Sequence, residues 1–137
     1  MTPPALALDI GGHKIAAGLV AGDGAILRSA TEPTISRDDG KALFEKNCGV
    51  CHVVSKTEPL RQGPYLAGVV GRKAGKVENF PYSNGLKAAT FDWTPERLDH
   101  WITDPQSVIA DSYMMYKQAD PAIRSSIIGY LATLKTQ

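Results

Sequence analysis

Two cysteines with two residues between them, followed at once by a histidine, put two thiols and an imidazole into the five-residue run Cys48-Gly49-Val50-Cys51-His52. That spacing suits covalent haem attachment: thiols on adjacent turns each add to a vinyl group, and the next residue then sits under the iron as a ligand. Two other chemistries use cysteines so spaced. A redox dithiol normally sits at a helix start after a strand, where the thiolate is stabilised, whereas this run falls inside a predicted helix. A structural zinc ion needs two further Cys or His ligands, and with no other cysteine in the chain only His13 and His100 remain. Ligand counting therefore favours haem.

The elements that must position this run come after a change of character near Arg37. Asp38, Asp39 and Gly40 precede Ala42, Leu43 and Phe44 as an acidic helix start does, with the helix dipole favouring those charges. Thr94-Pro95 offers an N-cap followed by proline at the first helical position, with Leu98, Trp101 and Ile102 as an apolar stripe. Asp120-Pro121 repeats the device, and Ile123, Ile127, Tyr130, Leu131 and Leu134 recur at helical spacing. The Gly/Pro-rich passage 62–83 reads as an ordered loop. About one hundred residues make a small core, and a buried haem would supply apolar surface around which long loops, 55–83 and 104–119, could wrap.

Composition bounds the alternatives. In 137 residues, 15 basic against 14 acidic side chains give a formal charge of +1, so overall charge makes no case for nucleic acid. No apolar run reaches membrane-spanning length. The start, Met1-Thr2-Pro3-Pro4, lacks a basic region, and Asp9, His13 and Lys14 interrupt the apolar stretch after it, so no signal peptide is visible.

Residues 38–137 resemble the class I cytochromes c, single-haem electron carriers. The resemblance rests on CGVCH, on Gly40 and Phe44 facing Ile127 and Tyr130 as first and last helices do in that family, and on the stretch Gly63–Gly75 after the haem motif. It implies a mainly α fold wrapped around one haem c, attached through Cys48 and Cys51, with His52 as proximal ligand. By the same resemblance the Pro64 carbonyl accepts His52 Nδ1–H, Arg72, Tyr82 and Trp93 hydrogen-bond around a haem propionate, and Met114 is the distal ligand. Met115 is the adjacent alternative, a methionine more often being core filler. Three departures stand out: Ala110-Asp111 where the family often has Pro-Gly, Tyr113 for a frequent lysine, and Trp101 where a tyrosine often neighbours the methionine.

Residues 5–35 differ: their apolar runs, broken by Gly-Gly and Gly-Asp-Gly, suggest strands joined by tight turns. They resemble the opening of ROK-type sugar kinases, with Asp9, Gly11 and Gly12 matching the first phosphate loop and His13 replacing its usual threonine. No second phosphate loop or sugar-binding section follows, so kinase activity is not expected.

The expected organisation is a strand-rich extension, 1–37, and a cytochrome domain, 38–137. The expected function is one-electron carriage in a respiratory or photosynthetic chain, not enzymatic catalysis, between redox proteins such as an oxidase, a reductase or a photosynthetic complex. Lysines 41, 46, 56, 73, 76, 87 and 117 could steer an acidic partner. The resemblance places a monomer in the periplasm or the mitochondrial intermembrane space. A haem enzyme or gas sensor with an open sixth position is the alternative, and a nucleotide-binding fragment a third.

Overall fold

The computed structural model describes residues 3–10, 14–33 and 37–135, in two compact units, Met1–Ser36 and Arg37–Gln137. In the first, β1 (Ala5–Ile10), β2 (Lys14–Val20) and β3 (Ile26–Pro33) form an antiparallel sheet in sequence order. Asp23 and Gly24 make the second turn possible: the Asp23 carboxylate accepts the Ala25 N–H at 3.0 Å, and Gly24 adopts φ +87°. A bulge between Leu19 and Val20 absorbs the register shift that follows. Leu6, Leu8, Ile26 and Leu27 are exposed on this sheet. Asp9 lies on β1, while Gly11, Gly12 and His13 of the kinase-like motif fall outside the described residues.

The second unit is helical. α1 (Arg37–Asn47) and α5 (Pro121–Thr133) pack against each other, and the reason they approach so closely is Gly40: a Cβ there would lie 2.5 Å from the Ser126 carbonyl oxygen and 2.9 Å from Tyr130 Cβ. Phe44 stacks obliquely on Tyr130 with ring centres 5.4 Å apart, and Ile127 is wholly buried beneath them. α5 starts where expected, its Asp120 carboxylate accepting the Ala122 and Ile123 N–H groups ahead of Pro121.

α3 (Pro95–Thr103) begins at Thr94, whose hydroxyl accepts the Arg97 N–H, and it buries Leu98, Trp101 and Ile102. These side chains join Phe44, Val69, Leu86, Trp93, Ile127, Ile128 and Leu131 in one core. Two short helices, α2 (Asn84–Ala88) and α4 (Pro105–Val108), are additional. α4 interrupts the stretch 104–119 expected to be loop. With five and four residues, neither is long enough to display a helical period. Among the described residues no helix is long and apolar enough to cross a membrane.

Candidate haem site

Cys48 follows the end of α1 directly, so the motif lies in turns after the helix rather than inside it. The Cys48 and Gly49 N–H groups both bond the Phe44 carbonyl, and the Cys51 and His52 N–H groups return to Cys48 O at 3.0 and 2.9 Å. These tight turns bring both thiols and the imidazole to one end of α1. Both cysteines are free. Burial first, and Cys51 second, push the Cys48 thiol up to about 11, so it stays protonated at neutral pH, the opposite of what a reactive dithiol requires. Nor do three or more His, Cys, Asp or Glu side chains gather as a metal cluster among the described residues.

His52 is held from behind. Its Nδ1 lies 2.8 Å from the Pro64 carbonyl oxygen, which can only accept, so Nδ1 carries the proton and Nε2 presents its lone pair. Burial lowers the histidine below its ordinary value, the Pro64 bond opposes that, and the Arg72 charge adds to it. Neutral imidazole, the ligating form, is thereby favoured. Gly63 makes the cradle possible: a Cβ there would sit 2.5 Å from His52 Nδ1 and 2.7 Å from Nε2. The Gly63 N–H in turn bonds Cys51 O at 2.7 Å. A glycine directly before a loop proline was the visible signal for this contact.

Arg72, Tyr82 and Trp93 form a neighbourhood of their own. The Arg72 guanidinium donates to Tyr65 O at 2.9 Å and Ala67 O at 3.1 Å and lies over the Tyr65 ring. Burial lowers its pKa and raises that of the nearby Tyr82. Arg72 and Trp93 pair through the backbone, Trp93 N–H bonding Arg72 O at 2.9 Å. The Trp93 ring packs edge-on between Phe91 and Trp101, each 5.1 Å away.

Cys48 and Met114 both pack against the same core. The buried Trp101 donates its indole N–H to Met114 Sδ at 3.1 Å, so the residue that departs from the family resemblance supplies a donor-only group beside the methionine. Met115 is 73 % exposed. The Gln106 amide nitrogen spans the segment, reaching Ser112 O at 3.2 Å, Met114 O at 2.8 Å and Met115 Sδ at 3.2 Å. His100 is exposed on α3 and takes no part. Gln106, which bonds residues six to nine positions on, and Asp111, which meets Ser83 and Gly85 28 and 26 residues back, had no signal in the sequence, because no local spacing rule selects these partners.

The donor set fits a haem: two free thiols beside an oriented imidazole, a ring cradle that closes tightly on the glycine at residue 63, and a thioether held on the same core. Comparison with known proteins agrees. Residues 38–135 match the family model for cytochrome c. Cytochrome c-550 of Novispirillum itersonii is 39 % identical over 105 residues, covering 69 % of this chain and 95 % of that protein. Cytochrome c2 of Rhodopila globiformis is 40 % identical over 98 residues, covering 71 % of this chain and 92 % of that one. Cytochrome c-type cyt cy of Rhodobacter capsulatus is 36 % identical over 96 residues, 69 % of this chain, which spans only 47 % of that protein's length. With the family model matched from the first turn of α1 to beyond α5, the chain belongs to the cytochrome c family.

Proposed function

We propose that the helical unit is a single-haem c-type cytochrome that carries one electron between redox proteins in a respiratory or photosynthetic chain. The observation that carries this reading is the oriented imidazole of His52 beside two free thiols. Cys48 and Cys51 would hold one haem c covalently, with His52 Nε2 and Met114 Sδ as its axial ligands. Bound there, haem supplies a ferric/ferrous couple, whose potential Met/His ligation raises.

The chain's own groups do the rest. Pro64 fixes the imidazole tautomer, Gly63 leaves room for the ring, and Trp101 holds the thioether sulfur by its N–H. A held sulfur keeps the sixth position filled, which suits a carrier better than a gas sensor or an enzyme. Arg72, Tyr82 and Trp93 are the groups proposed to meet a propionate. Thioether formation belongs outside the cytoplasm, so the periplasm or the mitochondrial intermembrane space is the compartment proposed, with the protein acting as a monomer. The strand-rich extension, with its kinase-like opening, is assigned no part in haem binding.

Production with and without a cytochrome c maturation system tests the assignment. The expected result is a mass gain of one haem, retained under denaturation and dependent on maturation. The same absorption spectrum is expected from a chain lacking residues 1–36. Haem lost on denaturation would sink the covalent site, and loss of the low-spin spectrum on truncation would bring the extension into the pocket.

A further inference from the structure

Asp111 connects two loops that are distant in sequence. Its Oδ2 accepts the Gly85 N–H at 2.9 Å, and its Oδ1 accepts the same N–H at 3.2 Å and the Ser83 hydroxyl at 3.1 Å. The Ser83 hydroxyl, 1 % exposed, accepts the Leu86 N–H at 3.3 Å. The first turn of α2 is thus capped twice, once by its own Ser83 and once by a carboxylate 26 residues further on. Charge-assisted bonds of this kind are stronger than neutral ones. Gly85 is moulded to the contact, since a Cβ there would overlap the Asp111 carboxylate and come within 2.7 Å of Ile109 Cγ2.

From Asp111 the connection runs on toward the sulfur. The next residue, Ser112, is buried and its hydroxyl accepts the Met114 N–H at 3.1 Å, and Met114 Sδ is bonded by Trp101. The segment bearing Met114 is therefore fixed at one end to α2 and at the other to α3. α4, immediately before it, supplies Gln106, which holds the carbonyls of Ser112 and Met114.

The geometry points to Asp111 as a positioning residue for Met114: its bonds to Ser83 and Gly85 pin the methionine-bearing segment to α2 and so set how readily the thioether gives way to an external ligand. This rests on Met114 being the distal ligand. Asp111 touches no reacting atom itself and acts only through the segment it anchors.

The test is imidazole binding to the ferric, haem-loaded protein, together with hydrogen exchange at the Gly85 amide. Asp111→Ala is expected to bind imidazole about tenfold more tightly, ~1.4 kcal/mol, and to exchange the Gly85 proton faster. Asp111→Asn, which keeps the shape and one acceptor oxygen, should fall between Asp111→Ala and the parent and serves if the alanine variant does not fold. Ile128→Val, a core truncation in α5, should leave imidazole affinity at the parent's value. Unchanged affinity in both Asp111 variants, or an equal rise in Ile128→Val, overturns the anchoring role. A parent protein without the sulfur-to-iron charge-transfer band, or a Met114→Ala variant that keeps it, overturns the ligand reading and the inference together. A parent that has the band, with unresponsive Asp111 variants, overturns the inference alone.

Discussion

His52 takes its anchor from a carbonyl twelve residues further along the chain, and its cradle from the glycine just before that carbonyl. Met114 is held by an indole from α3, and its segment is tied to α2 across 26 and 28 residues. The imidazole side is thus a local construction, in which short spacings prescribe the contacts once the chain turns after α1. The thioether side exists only when α2, α3 and the segment after α4 have come together. A ligand fixed by local turns survives partial opening of the unit, whereas one fixed by tertiary contacts is lost with the first of them.

If the two sides differ in this way, their variants should fail differently. Met114→Ala gives the largest effect. If Met114 is the axial ligand proposed, exchanging its thioether for water removes the bias toward ferrous iron, so the potential should fall by on the order of tenths of a volt, within the ~0.8 V span that axial ligands set. Carbon monoxide should then bind readily. Met115→Ala should change the potential little, since its side chain is largely in solvent. Voltammetry of both variants decides the matter: if Met115→Ala abolishes the sulfur-to-iron band and Met114→Ala keeps it, the distal assignment moves by one residue.

Gly63→Ala probes the imidazole side. The added methyl group would press on the His52 ring, and overpacking of this kind costs roughly 1–3 kcal/mol. Denaturant unfolding of the haem-loaded variant should show that loss, with covalent haem retained because the thiols are untouched. A midpoint equal to the parent's would mean that the loop simply moves aside and the cradle is not rigid.

Trp101→Phe sharpens the thioether side with the smallest expected change. With Met114 as the proposed ligand, the N–H would withdraw electron density from sulfur and so favour the ferrous state; its removal should lower the potential by tens of millivolts, less than the ~59 mV of a tenfold change in a one-electron equilibrium. The phenyl ring keeps most of the packing on Trp93, so stability should fall less than in Gly63→Ala. A raised potential would contradict the donor role of the indole.

The same division explains what could be read before folding. CGVCH and the proline-led starts of α3 and α5 are short-range patterns whose chemistry is fixed by spacing; the facing of Gly40 and Phe44 with Ile127 and Tyr130 joins distant segments and is legible only through the family resemblance. Pro64 and Met114 came from resemblance instead, since no spacing rule alone selects one carbonyl or one of two adjacent methionines. Gly63 was visible only as a glycine before proline; that it makes room for an imidazole needs the fold. Trp101 departs from the family resemblance in a way that leaves the bond to the methionine open, and its N–H direction toward sulfur depends on how α3 rotates in the core. Asp111 marked only an unusual turn, because a carboxylate says nothing about which amides, 26 residues away, it will meet. α2 and α4 are illegible in the sequence because five and four residues carry no period.

The close approach of α1 and α5 at Gly40 also has a kinetic side. It joins positions about 86 residues apart, and closing a loop of that length costs roughly 4 kcal/mol of chain entropy beyond a constant term. Such a contact is unfavourable on its own and forms once the intervening segments have shortened the effective loop. A side chain at residue 40 would remove the reward for that closure while leaving its entropic cost unchanged. Refolding rate should therefore respond to residue 40 more than the few atoms in contact suggest, if the transition state already contains the two-helix clasp.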